Sequence, residues 1–304
     1  ASNTTASNNT AVGYQAGYAN TTGNENTFLG NKSGNSVTTG ADNTFVGSEA
    51  GISNTTGGTN VALGKDALRA NTTASNNTAV GYQALYSVST ISALTGVGYT
   101  ALQSNTSGVD NTAVGYQALQ SNTTGSRNTV LGHNAGGVQT TPQLNTLVGF
   151  EAGMALNTGG VNTVVGGRAL NAATTAHSNT ALGYATLTSN TTGSYNVVVG
   201  RDALASNTTA NYNVSVGFEA GYSNTTAENN VHIGYQAGKS GTTAAANTFV
   251  GRRAGYAVTT ANGNTFIGNN SGVDVTTGQN NTIVGRYNGN QGGLDIRTSS
   301  NNIV

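Results

Sequence analysis

The chain has 304 residues, of which 7% are charged, and its eleven basic and eleven acidic residues cancel to a formal net charge of zero. That balance leaves no field to attract nucleic acid or an anionic membrane surface, and no stretch approaches the roughly 18 apolar residues of a membrane span. With 44 Gly, 6 Phe, one Met, no Trp and no Cys, it lacks bulk for a thick globular core and thiolates for disulfides or zinc, so burial must be spread over many small contacts.

The chain opens on Ala-Ser-Asn-Thr-Thr, without the basic and apolar regions of a signal peptide. From Gly13 to Gly285, a Gly preceded by Val, Leu or Ile then recurs at every seventeenth position, and no insertion breaks the phase. Loops between independent domains would not keep such a phase. The period predicts an all-β fold, a parallel β-solenoid (β-roll) of about seventeen coils, occupying residues 1–287 as one domain.

Within each coil the same order of elements repeats. An Asn opens the strand, as in Asn9-Thr-Ala-Val-Gly13 and Asn264-Thr-Phe-Ile-Gly268. Stacked coils would turn these Asn into a ladder of amides bonded to the coils above and below. The aliphatic residue before the Gly and the Thr or Val two earlier share one face of an extended strand; this face is expected to point inward. The Gly is expected to mark a corner, where positive φ or close backbone approach excludes a Cβ. Three residues on comes a small residue, such as Ala50, Ala118, Ala152 or Ala254, as a second inward point. Asn-Thr-Thr-Gly or a variant follows, at Asn20–Gly23, Asn54–Gly57, Asn122–Gly125 and Asn190–Gly193, with the chemistry of a turn. One lap therefore holds two or three short strands and adds about 4.8 Å to the stack.

The column two before the Gly should point outward by the same alternation. It is rich in large apolar residues: Phe28, Phe45, Val130, Leu147, Val164, Val198, Phe249, Phe266 and Ile283 all belong to it. A solvated face would not look like this, and an outward apolar stripe on a monomer would invite aggregation. These residues are the candidate oligomer interface, with parallel copies burying the stripe around a threefold axis; the alternative is that this column and its neighbour are both intramolecular core, with the lap flattened. On this reading Val148→Asp and Val165→Asp destroy the fold, whereas Phe45→Asp chiefly dissociates the oligomer.

The positions just after the Gly carry much of the charge, including Lys32, Glu49, Arg201 and the neighbours Lys65-Asp66, and should face water. Aromatic residues share this corner. Tyr82, Tyr99 and Tyr116 occupy consecutive coils, so their rings can stack about 5 Å apart; they form a candidate ligand platform for sugar rings, or a stack that shields the corner backbone.

No catalytic constellation emerges. His133, His177 and His232 fall at three different positions of the repeat, the carboxylates lie singly beside bases, and Gly13-Tyr-Gln-Ala-Gly17 lacks the Lys of a phosphate-binding loop. We therefore expect no enzyme activity, no cofactor and no metal site. The stretch Asn288 to Thr298 breaks the phase, so residues 288–304 are expected to form a C-terminal cap or transition segment.

The strand Asn-Thr-Ala-Val-Gly followed by Tyr-Gln-Ala-Gly or Tyr-Gln-Ala-Leu, at residues 9–17, 77–85 and 111–119, resembles repeats of phage tail fibres and bacterial surface adhesins. It is similar to the head repeats of trimeric autotransporter adhesins, whose shorter repeat has a Ser/Thr-Val-Ala-Ile-Gly strand. The 17-residue period departs from that shorter repeat. Ser299-Ser-Asn-Asn-Ile-Val304 resembles the segment that leads, in related fibres, toward a self-cleaving chaperone domain. The resemblance implies a parallel homotrimer or filament of this chain with itself, in keeping with an extracellular, cell-surface or virion location; a cell-surface glycan is a further candidate partner, through the Tyr column. The function expected is a structural shaft or adhesive rod; the alternative is a ligand-binding solenoid, holding carbohydrate through the Tyr column or ice through Thr rows such as Thr21-Thr22 and Thr55-Thr56.

Overall fold

The computed structural model describes residues 4–304; residues 1–3 lie outside the described residues. The chain is a parallel β-solenoid of about 16 turns with coils of about 17 residues. It divides into two compact units, Ala1–Leu147 and Val148–Val304.

Through the first unit run β1 (Thr10–Val12), β2 (Thr27–Leu29), β3 (Thr44–Val46), β4 (Val61–Leu63), β5 (Thr78–Val80), β6 (Thr95–Val97), β7 (Thr112–Val114) and β8 (Thr129–Leu131), with β9 (Thr146–Val148) at its end. β1 to β8 pair in parallel with an in-register shift of one coil, so that Thr27 lies beside Thr44 and Phe28 beside Phe45. The second unit repeats the arrangement in β10 (Thr163–Val165), β11 (Thr180–Leu182), β12 (Val197–Val199), β13 (Val214–Val216), β14 (Val231–Ile233), β15 (Thr248–Val250), β16 (Thr265–Ile267) and β17 (Thr282–Val284).

Each coil contains one three-residue strand, not two or three. The reason lies in the left-handed backbone at three points per lap, as at Asn76 (φ 62°), Gln83 (φ 53°) and Leu85 (φ 52°), which interrupts every other extended run. The turns between these points still bond to the next coil, for example Gly17 N–H to Ser33 O (2.9 Å) and Thr21 N–H to Thr38 O (3.0 Å). The corner Gly is required twice over. At Gly98, φ is 135°, and a Cβ would stand 2.1 Å from Gly115 O in the next coil.

The two faces of the strand are the reverse of the sequence-based expectation. Phe28, Phe45, Val130, Leu147, Val164, Val198, Phe249, Phe266 and Ile283 are 0–1% exposed: they form the interior, and the proposed oligomer interface through them is overturned. The aliphatic residues before the Gly are outside, with Leu63 47% and Val165 40% exposed. Alternation separates two faces but does not say which is inner. What decides it is the far wall of the coil, where the small residues three after the Gly, such as Ala50, Ala118, Ala152 and Ala254, are buried as expected.

The residue four after the Gly completes the packing. Where the inward strand residue is Phe45, the facing residue is Gly51, and a Cβ there would meet Phe45 Cε2 at 2.5 Å. Where it is Ala62, Ala79 or Ala113, the facing residue is a fully buried Leu: Leu68, Leu85 or Leu119. Each of these coils thus holds one large filler, supplied by either wall, which keeps the interior at close-packed density. Leu adopts the left-handed region there (Leu119 φ 49°), a strain offset by burying its whole side chain.

The phase break near the C-terminus is a hairpin. After β17, β18 (Asn290–Gln291) and β19 (Leu294–Asp295) pair antiparallel. The chain then resumes the coil path: Arg297 O accepts from Thr276 N–H (2.9 Å), and Asn302 Nδ2 donates to Asn281 Oδ1 (2.8 Å). Asn302 follows Asn281 by 21 residues in place of 17, so this lap carries 21 − 17 = 4 additional residues. Ile296 of the inserted segment is fully buried against the core that includes Phe266 and Ile283.

Candidate functional site

Two kinds of repeated chemistry line the coils. The first is internal. Asn43 donates from its backbone N–H (3.0 Å) and its Nδ2 (3.1 Å) to Asn26 Oδ1, while the same Nδ2 donates to Gly57 O (3.0 Å). Asn60 stands on Asn43 in the same way, and Asn77 N–H donates to Asn60 Oδ1. The ladder expected from the sequence is therefore formed. The Asn-Thr-Thr-Gly turn is also built as expected: Asn20 Nδ2 donates to Gly23 O (3.0 Å), and Gly23 N–H donates back to Asn20 Oδ1 (3.1 Å). Its first Thr is occupied, because Thr21 Oγ1 donates to Thr38 O (3.0 Å) and Thr55 Oγ1 to Thr72 O (2.9 Å). Only the second Thr of each pair, Thr22 or Thr56, is exposed, so the pairs offer one row of free hydroxyls rather than two.

The second is the corner after the Gly. Tyr82 and Tyr99 stack with ring centroids 5.2 Å apart, Tyr99 and Tyr116 at 5.0 Å, and His133 continues the stack at 4.9 Å from Tyr116. The three tyrosines are 38–45% exposed. Their interplanar angles of 9–17° mean that each inner ring gives both faces to its neighbours. What reaches solvent is a row of ring edges and hydroxyls, beside a second row in which Gln120 Nε2 donates to Gln103 Oε1 (3.0 Å) and Gln103 Nε2 to Gln83 Oε1 (2.6 Å). A sugar would meet these edges and amides, not a flat ring.

The charges of the corner are paired along the stack as well as along the sequence. Arg201 reaches its neighbour Asp202 (3.0 Å), as the sequence suggests. Asp66, however, pairs with Arg69 (2.5 Å) and not with Lys65, and Arg69 also binds Glu49 of the coil below. Sequence reasoning passed over Arg69 because it lies five residues after its Gly, on the turn; only the stacking of coils brings it to two carboxylates. In the second unit, Glu219 takes the same part. Burial favours its neutral form, but hydrogen bonds from Lys239 (2.6 Å) and Gln236 (2.7 Å) outweigh that and hold its carboxyl below the usual range.

The three histidines stay apart in function as in sequence. His133 ends the Tyr stack; His177 Nδ1 accepts from Gly160 N–H (3.0 Å). His232 occupies the inward strand column, stacked on Phe249 at 5.6 Å and 3.5 Å from Ser215 Oγ, and its complete burial lowers its pKa to about 4. Among the described residues no group of three or more His, Asp or Glu is placed to hold a metal ion. At the C-terminal hairpin a cavity of about 460 Å³ is lined by Ala257, Asp274, Thr276, Asp295, Arg297 and Thr298. Its carboxylates already have partners: Arg297 binds Asp295 (2.7 Å) and holds it down at about 2, while Asn288 Nδ2 donates to Asp274 (2.9 Å).

No protein-family model matches the chain, and no curated protein matches it in sequence.

Proposed function

We propose that the chain is a non-enzymatic structural shaft or adhesive rod of an extracellular fibre, at a cell surface or on a virion, of the kind found in phage tail fibres and bacterial surface adhesins. One observation carries this reading: the repeating groups of each coil are used on the next coil. Backbone amides, the Asn ladder, the turn threonines and the corner rings all bond at an interval of one lap. Such a stack resists bending and local opening, because each lap is clamped on both sides. It suits a part that works by reach, rigidity and repeated surface contact, with copies of itself as its first partner.

A second reading, a ligand-binding solenoid, draws on the exposed edges of Tyr82, Tyr99 and Tyr116 beside the glutamine row. The two are separated by measuring attachment to intact cells, a glycan array and turnover of polysaccharide substrates with one preparation. Attachment without turnover supports the adhesive rod. Saturable glycan binding that Tyr99→Ala abolishes would support the carbohydrate reading, and turnover would sink both.

A further inference from the structure

The inverted strand leaves a sheet face with no cover. In the first unit, β1 to β8 present Thr or Val at their first residue and Val or Leu at their third to the outside; Val12, Leu29, Leu63 and Leu131 are 46–55% exposed. No charged residue occurs at either outward position of these eight strands. Eight strands about 10 Å long and about 4.8 Å apart make a flat face of roughly 400 Å². That matches the largest apolar patches of ordinary monomers, which often serve contacts, and is about half of the roughly 800 Å² each partner gives to a stable interface. A partner must therefore cover the rims as well.

The rims carry opposite charge. On the side leading into the strands, Glu25 and Asp42 are exposed; on the side leaving them, Lys65 is exposed and Lys32 half-buried. Among the described residues none of the four has an ion pair, whereas the exposed Asp110 and Arg127 on the leading side pair with each other (3.8 Å), and Glu49, Asp66 and Arg69 on the leaving side neutralise one another in part. A rotation axis parallel to the stack sets the leading rim of one copy against the leaving rim of the next at the same height. Glu25 and Lys32 belong to one coil, and Asp42 and Lys65 to adjacent coils about 4.8 Å apart, within reach of a lysine stem. An antiparallel arrangement would set each rim against itself.

We propose that the outer face of β1 to β8 with its two rims is the surface through which parallel copies of this chain associate, with Glu25 and Asp42 of one copy against Lys32 and Lys65 of its neighbour. The inference rests on the fibre reading and specifies its self-contact. Sedimentation of the full chain should give a multiple of 30.4 kDa that dissociates at high salt. Leu63→Asp should yield a monomer with unchanged circular dichroism; should that variant misfold, Leu63→Thr, a residue the face already carries, should weaken assembly at least several-fold. Lys65→Glu should weaken assembly more than tenfold, and Asp42→Lys in the same chain should restore it. A monomeric native chain, or assembly indifferent to Leu63→Asp and to the charge reversal, would overturn the proposal while leaving the fibre reading to the attachment and turnover assays.

Discussion

At the scale of single residues, the interior is a set of reciprocal choices. Phe45 faces Gly51, whereas Ala62 one coil on faces Leu68, and both pairs fill the same cross-section. Phe45→Ala should cost about 3–5 kcal/mol through lost burial and the cavity left behind. Gly51→Leu alone should also destabilise, because its side chain meets the Phe45 ring. Together, the two changes recreate the Ala62–Leu68 arrangement and should recover more than half of the loss, a coupling that chemical denaturation of the four chains reads directly. Phe45→Asp is now expected to unfold the chain, and Val165→Asp, on the outer face, to leave it folded. His232 fills a Phe position with a titratable ring. Its folded pKa, about 4, lies below the unfolded value of 6.5, so the unfolded chain binds more protons between the two. Stability should accordingly fall by a few kcal/mol as pH drops from about 6.5 to about 4 and then change no further from this source. His232→Phe, which matches Phe249 and Phe266 in the following coils, should remove that dependence; melting curves from pH 7 to 4 would show it.

At the scale of the element, three residues of strand are too few to hold a sheet by cross-strand side-chain pairs alone, and the Asn at the strand entrance supplies the missing specificity. Asn60 donates twice to Asn43 and once to Ala74 O, and accepts from Asn77. Asn60→Asp would remove both side-chain donors and bury a charge, with an expected loss of about 3–5 kcal/mol. Asn60→Leu should be milder, since Leu94 already occupies a ladder position and still donates its N–H to Asn77 Oδ1 (2.9 Å). Urea denaturation of the two variants should rank Asp as the more damaging; the reverse order would mean that the ladder contributes packing and not hydrogen bonds.

At the scale of the whole molecule, stability is a sum over laps and contacts between neighbouring laps. Deleting residues 78–94 removes one period and joins Asn77 to Thr95, so every column keeps its register. That chain should fold with the same circular dichroism and only a modestly lower melting temperature. Deleting residues 78–85 breaks the register of the Gly corner and the ladder and should abolish cooperative melting of the first unit. The hairpin at β18 and β19 shows the rule from the other side: four additional residues are tolerated because they leave the stack and return to it, with Ile296 restoring the core contact.

The period, the place of each strand, the ladder, the turn and the stacking of Tyr82, Tyr99 and Tyr116 were legible in the sequence, because each follows from local chemistry repeated at a fixed interval. The strand count per lap was not, since nothing in the side chains of Gln83 or Leu85 announces a left-handed backbone. Nor was the inner face. Alternation distinguishes Phe45 from Val46 but is symmetric between inside and outside, and only the far wall of the coil, where Gly51 makes room for a ring and Leu68 fills the space above an Ala, breaks that symmetry. The sequence by itself determined that the chain coils with one apolar column on each side of its strand; tertiary packing alone decided which column became core and which was left at the surface.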